Sequence, residues 1–458
     1  MGRGLVLAWA ATMGVAACAV SAGAEEFAPD DLVLESELTF GSVEQLPEPA
    51  AEKIPAPIPL PPIEAPAEDN RLTLGEAEAL AIASHPALRQ AEGRLRAAQG
   101  NWLQVGLRPN PAVGYMGDEM GDAGTAGKQG GFVSQEFVTA GKLRLNRAVA
   151  SREVAAAQQR LELARLQVLT TVRIYYFEVL AAERAVALAR QLSDVAAESV
   201  RVSELRLKAM DIPRASLLQS QIERQSATLL EQQATERHAA AWRRLSTAIG
   251  LSDSRMPAFD DALLRPLPEL EWEAVREAVL AESPELAELR FAVERARWSV
   301  ERASAGRVPN VNMEAGVALD NATDDTIANV RLSMPLPVFD RNQGAIAQAW
   351  GELAAAQAAL QERELALEHR LAAALRDYST ARQRAVQYAD KILPVARESL
   401  ELMSAGYREG ELEYVSVLTS QQTYAQTNLS YLQDVETAWK KWAEIDGRLV
   451  GPLPERSE

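Results

Sequence analysis

Residues 142–212 read KLRLNRAVASREVAAAQQRLELARLQVLTTVRIYYFEVLAAERAVALARQLSDVAAESVRVSELRLKAMDI, 71 consecutive positions without glycine or proline. Within them Leu188, Leu192, Val195, Val202 and Leu205 recur at helical spacings with alanines interleaved, the pattern of a helix that buries one stripe against a partner helix. At ~1.5 Å per residue such a run extends on the order of 100 Å, several times the usual globular helix. Past Pro213 a second breaker-free run spans Arg214 to Ile249. The two runs predict an antiparallel coiled-coil hairpin.

Working outward, the same plan returns about 200 residues later. Ser84-His85-Pro86-Ala87-Leu88 answers to Glu282-Ser283-Pro284-Glu285-Leu286, and Arg108-Pro109-Asn110-Pro111 to Val308-Pro309-Asn310-Val311. Ala155-Ala156-Ala157-Gln158 answers to Ala354-Ala355-Ala356-Gln357, Glu198-Ser199 to Glu398-Ser399, Ser220-Gln221 to Ser420-Gln421, and Trp242 to Trp442. A long internal repeat of this kind is a duplication. It divides the chain into repeats at 71–252 and 270–451, a linker at 253–269 and a tail at 452–458. In the second repeat Glu352 to Leu393 and Glu411 to Asp446 lack breakers, and Pro394 predicts a kink or break. Thr73 with Glu76 is a capping box opening a short helix, and Ser84 before Pro86 opens the next, to about Leu107.

Two segments per repeat follow a different period. Val311, Met313, Ala315, Val317 and Leu319 alternate with Asn312, Glu314, Gly316, Ala318 and Asp320, and Ala328, Val330 and Leu332 with Asn329, Arg331 and Ser333. In the first repeat Ala112–Gly117 and Phe132–Val138 flank a polar loop, with glycines diluting the alternation. Each repeat therefore holds one hairpin whose strands have an apolar and a polar face, as in a transmembrane β-barrel. Four strands cannot close a barrel, and an open edge is not tolerated in lipid, so the chain must oligomerise. This reasoning selects an oligomer without fixing its number.

Composition narrows the chemistry. The 458 residues include one cysteine, Cys18, and three histidines, His85, His238 and His369, which disfavours a Cys/His zinc centre or a disulfide framework. His85 reads as a helix-cap residue, and His238 and His369 lie in coiled-coil helices without neighbouring ligands. Gly124-Thr125-Ala126-Gly127-Lys128 departs from a phosphate loop, with Asp122 at the first glycine position and Gln129 in place of Ser/Thr, and reads as an exposed loop. Met210, Met313 and Met403 are scattered and make no soft-metal path. No catalytic, cofactor or metal site is expected.

The net charge of -17 is also localised: residues 25–70 hold twelve carboxylates against Lys53, together with nine prolines. Such a segment reads as an extended linker, and without clustered Lys and Arg a nucleic-acid partner is disfavoured. Arg3, the apolar stretch Leu5–Val15 and the small residues up to Ala24 read as a secretory signal over 1–24. Two processing readings remain open. Ala22-Gly23-Ala24 fits cleavage before Glu25, and Val15-Ala16-Ala17-Cys18 resembles a lipobox that would acylate Cys18.

The duplicated helix, hairpin, long-helix plan, the stretch Ser333-Met334-Pro335-Leu336-Pro337-Val338-Phe339-Asp340-Arg341-Asn342-Gln343-Gly344, and the turn Ala405-Gly406-Tyr407-Arg408-Glu409-Gly410 followed by Val417-Leu418 together resemble the TolC-like outer-membrane factors. The stretch Pro335 to Gly344, together with Gln135-Glu136-Phe137 and Gly141-Lys142, is most similar to the cobalt-zinc-cadmium branch. The resemblance implies a mainly α fold with a small β part: duplicated coiled-coil hairpins and four transmembrane strands per chain, in a trimeric α/β barrel duct. It implies a passive, non-enzymatic exit duct across outer membrane and periplasm. Its partners would be two further copies, a periplasmic adaptor, an inner-membrane proton-driven transporter and outer-membrane lipid, with heavy-metal cations as cargo. The alternatives are a multidrug or type I protein-secretion duct, or a periplasmic adaptor or structural coiled-coil protein. By position in that family, the adaptor-contacting tips are Lys208, Ala209, Met210 and Asp211, and Ala405, Gly406, Tyr407, Arg408, Glu409 and Gly410. Gly406 and Gly410 would reverse the chain, and Asp211, Glu409, Glu411 and Glu413 would form a gate of carboxylates.

Overall fold

The structure, a computed structural model, describes residues 71–449 except 122, 123, 125, 252–254, 261, 262, 264 and 410, all within the unit 59–458. The signal segment, Cys18, the acidic linker, Gly410 and the tail at 452–458 lie outside the described residues. In chain order the first half comprises β1 (Arg71–Leu72), α1 (Leu74–Ser84), α2 (Pro86–Gln104), β2 (Ala112–Asp118), β3 (Lys128–Phe137), α3 (Lys142–Lys208) and α4 (Arg214–Ala248). The second comprises β4 (Ala258–Phe259), α5 (Trp272–Glu282), α6 (Pro284–Ala305), β5 (Val311–Asp320), β6 (Asp325–Ser333), α7 (Gln343–Gln387), a π-helical turn (Tyr388–Ile392), α8 (Leu393–Glu409) and α9 (Tyr414–Asp446). The order of elements repeats, with one deviation inside the long helix of the second half.

That deviation lies where Pro394 predicts a kink or break, and it takes the form of a π-helical turn. A proline ring collides with the carbonyl four residues earlier and offers no amide to it. Widening the turn just ahead of Pro394, from Tyr388 to Ile392, lets the helix pass through the proline without ending, as π-turns do. The helix begins ahead of the breaker-free run from Glu352, and Gly344 and Gly351 are inside α7. The capping box is present: Thr73 Oγ1 accepts from the Glu76 amide at 3.2 Å and the Glu76 carboxylate accepts from the Thr73 amide at 2.9 Å. The next helix is capped one residue later than expected, because His85 Nδ1 accepts from the Ala87 amide, and it stops at Gln104.

The four long strands form one antiparallel sheet in the order β2-β3-β5-β6, so the two hairpins join along β3 and β5. Lys128–Phe137 pairs with Val311–Asp320 without a gap. The periodicity did not reveal the short parallel pair in which Arg71–Leu72 lies beside Ala258–Phe259. Two residues carry too little pattern to read.

Below the sheet the helices keep its lateral order: α2 packs on α3, α3 on α6, and α6 on α7. Each strand is thus continuous with the helix beneath it. Further down, α3 packs on α4 and α9, and α9 packs on α7 and α8. The largest core surrounds β1, β4 and α1, where Tyr176, Phe177, Leu245, Trp439 and Phe259 meet. Phe177 stacks on Trp439 at 4.7 Å, and Tyr176 donates to the Leu72 carbonyl at 3.0 Å. Arg173 of α3 bridges Glu78 of α1 and Asp446 of α9.

A second ionic node joins the halves higher up. Glu153 of α3 accepts from Arg160 at 2.8 Å and from Arg295 of α6, and Arg160 also donates to Glu288 of α6 at 2.6 Å. Burial acts to raise the Glu153 pKa, but hydrogen bonds and charge from the two guanidinium groups outweigh it and the net shift is downward. A depressed carboxyl pKa contributes stability that is complete above the unfolded value, about 4.3 for glutamate, and is lost as pH falls through the lower folded value. Purified protein should therefore lose resistance to urea between about pH 5 and pH 3, and Glu153→Gln should lose less over that window. Parallel pH profiles for the two proteins would refute this role.

Candidate functional site: the sheet, its junction and the helical tips

Register decides what each face of the sheet carries. Val113, Val133, Ala315 and Val330 lie directly opposite one another across all four strands, and so do Tyr115, Gly131, Val317 and Ala328. With Phe137, Met313, Leu319 and Leu332 they make an apolar face that stands exposed, Val113 and Val330 each at 72%. Gln129, Gln135 and Thr326 share this face toward its two ends, and the exposed apolar band between them needs a non-aqueous neighbour. The opposite face holds Ser134, Glu136, Asn312, Glu314, Asp320, Asn329 and Arg331, with Arg331 reaching Glu314 at 3.4 Å. Strands of ten residues extend roughly 33 Å and, when tilted, span a hydrocarbon band of about 25 Å.

The glycines that blurred the first hairpin have a structural use. Gly114, Phe132 and Gly316 are directly opposite in register. A β-carbon on Gly114 would meet the Phe132 ring at 2.4 Å, so the small neighbours leave room for one aromatic ring on the polar face.

Where strands become helices, a polar network locks the two halves. Lys142, the first residue of α3, donates to the Val308 carbonyl at 2.5 Å and to Asn310 Oδ1 at 2.7 Å. Asn310 in turn donates to Glu136 at 2.7 Å, and Thr139 Oγ1 donates to the Pro309 carbonyl at 2.6 Å. Burial, reinforced by the nearby Arg302, lowers the Lys142 pKa. The stretches Gln135-Glu136-Phe137 and Gly141-Lys142 thus act as a joint. The recurrence of Pro-Asn at 109–110 and 309–310 was the sequence signal for it.

At the far end, two helix reversals lie together. In the first, Met210 adopts φ 62° and is 92% exposed, while the Asp211 amide donates to the Arg206 carbonyl at 2.9 Å. Lys208, Ala209, Met210 and Asp211 are all exposed there. The second reversal sits further along than read. α8 continues to Glu409, and Gly406 is helical. Its carbonyl accepts from the amides of Glu411 and Leu412, and a β-carbon at 406 would meet Leu412 at 2.7 Å. Gly406 leaves room for the Leu412 side chain, and the helix runs on to Glu409. Tyr407, placed among the contact residues, is only 2% exposed and packs with Tyr414, Val417 and Leu418. Its hydroxyl shares a 2.9 Å hydrogen bond with Ser203, and Arg206 donates to its carbonyl at 3.1 Å. Tyr407 thereby ties the second tip to the first. Ala405 is half-buried, and Arg408, Glu409, Glu411 and Glu413 are exposed.

Among the described residues no helix is long and apolar enough to cross a membrane, and no group of three or more His, Cys, Asp or Glu could hold a metal ion. His238 lies in α4, where burial lowers its pKa, and His369 lies in α7.

The family described as "Outer membrane efflux protein" matches residues 79–251 and 275–445, one segment in each half. The cobalt-zinc-cadmium resistance protein CzcC of Cupriavidus metallidurans is 26% identical over 387 residues, which cover 83% of this chain and 90% of CzcC. The alkaline protease secretion protein AprF of Pseudomonas aeruginosa is 27% identical over 183 residues, 37% of this chain and 38% of AprF. A crystal structure of CusC, in a study of its folding and transmembrane channel formation, superposes with a TM-score of 0.71 at 16% identity over 89% of this chain and 99% of CusC.

Proposed function

Because the chain belongs to the outer membrane efflux protein family, and so is an outer-membrane channel component rather than an enzyme, we propose that three copies close into a passive exit duct for heavy-metal cations. The duct would cross the outer membrane and extend into the periplasm. The four-stranded sheet carries this reading: its outer face is apolar and exposed, and among the described residues the outer edges of β2 and β6 have no partner strand. Those edges must find partners in lipid, and three copies supply twelve strands. The other face is polar, as a water-filled lumen requires. Similarity to CzcC over most of both chains favours metal cargo. The shorter similarity to AprF favours protein secretion as the second reading.

At the opposite end, Lys208 to Asp211 and the exposed Arg408, Glu409, Glu411 and Glu413 would meet a periplasmic adaptor that couples the duct to an inner-membrane proton-driven transporter. Purified protein should run as a trimer by native mass spectrometry, and a deletion strain should become sensitive to cobalt, zinc or cadmium. A monomer would remove the duct. Unchanged metal tolerance with lost protein secretion would move the cargo to the second reading.

The tip carboxylates would make the entrance cation-favouring by threefold repetition. In planar bilayers Asp211→Asn combined with Glu409→Gln should reduce the preference for cations over anions several-fold. An unaltered reversal potential would count against the gate.

A further inference from the structure

The segment between β6 and α7 is unlike its counterpart. Only four residues, 138–141, separate β3 from α3, and they are fastened to the 308–310 turn through Thr139. Nine residues, 334–342, separate β6 from α7. Their base is fixed: Asn342 donates to the Ala303 carbonyl of α6 at 2.7 Å and its amide donates to Asp340. The rest stands away from the chain, with Met334, Leu336 and Val338 exposed and Phe339 91% exposed. Pro335 and Pro337 restrict its backbone, and a tight turn in which the Val338 amide donates to the Leu336 carbonyl at 2.9 Å fixes its tip. A preorganised apolar arm in this state needs a covering surface.

We propose that the arm Met334–Phe339 of one chain docks on the α2 flank of the next copy, around Leu103 and Leu107, as a clasp beneath the lipid-facing sheet. The inference rests on the closed-oligomer reading above and specifies which surfaces meet. β2 leads away from α2, whereas β6 leads toward α7, so the edges of adjacent copies meet antiparallel. The end of β6, Ser333, then comes level with the start of β2, Ala112. Residues just after Ser333 therefore lie beside residues just before Ala112. That flank bears Leu103, in the last turn of α2, and Leu107, in the turn that follows it, both exposed apolar side chains, and among the described residues α2 packs chiefly on α3. Arg108 and Asp340, both exposed, place opposite charges at the same level.

The test is cross-linking in native outer membranes with a short bismaleimide. The doubly substituted chain, Leu103→Cys with Phe339→Cys, should give a covalent trimer on a denaturing gel, because each chain clasps the next around a ring. Either single substitution should give none. An intact trimer by native mass spectrometry without the covalent species would overturn the clasp and leave the duct standing. A cross-link confined to one chain would overturn it equally, and a monomer would overturn both.

Discussion

Placing arginine at Val133 should eliminate the oligomer recovered from outer membranes, whereas arginine at the adjacent Ser134 should leave it intact. Val133 sits in mid-sheet between Val113 and Ala315 on the apolar face. A guanidinium facing the bilayer midplane costs about 2–4 kcal/mol, and in a closed oligomer every copy bears it. Ser134 faces the other way, opposite Glu314, where an added cation meets water and a carboxylate. Its expected effect is altered conductance. Heat resistance of the extracted oligomer reads the first outcome and planar-bilayer recordings the second. Equal damage from both substitutions would mean that the sheet is packed on both faces, and the barrel reading would fall.

The second large effect belongs to Trp439. Its ring stacks on Phe177 and meets Trp442 edge-on at 5.4 Å, while its indole N–H donates to the Leu263 carbonyl at 2.9 Å in buried surroundings. Trp439→Ala should cost about 3–5 kcal/mol through lost contact and the cavity left behind. Trp439→Phe should keep most of the packing and cost about 1–3 kcal/mol, chiefly for the orphaned carbonyl. Urea unfolding of the purified protein ranks the three. If alanine cost no more than phenylalanine, the site would be a surface of the assembly and not the centre where α3, α9 and the 263 region meet.

Local rules account for much of what could be read in advance. The absence of breakers from Lys142 to Ile212 and from Arg214 to Ile249 foretells helices that the structure ends at Lys208 and Ala248. Alternation at Val311–Leu319 marks β5 because side-chain direction in a strand has a period of two. Where reading failed, a distant neighbour was decisive. Gly406 resembles a turn residue until Leu412 is seen packed against it, and Tyr407 resembles a tip residue until Ser203, some two hundred positions away, is found at its hydroxyl. At Pro394 the expected kink or break is met by an interruption of the α-helix, whose π-helical form only the structure shows.

Periodicity alone therefore specifies helices, strands and the duplication, since each depends on residues a few positions apart and on a copied order. It also specifies that four amphipathic strands cannot stand by themselves in lipid. Only the folded chain decides that β3 joins β5, that Phe132 lies between Gly114 and Gly316, and that Lys142 binds the two halves through Asn310. Those choices depend on register and on contacts across well over a hundred residues, where no local pattern constrains the partner. The arm at Met334–Phe339 belongs with them. Its prolines and apolar residues are plain in the sequence, but their exposure beside an unpaired edge appears only when β6 is placed at the rim of the sheet.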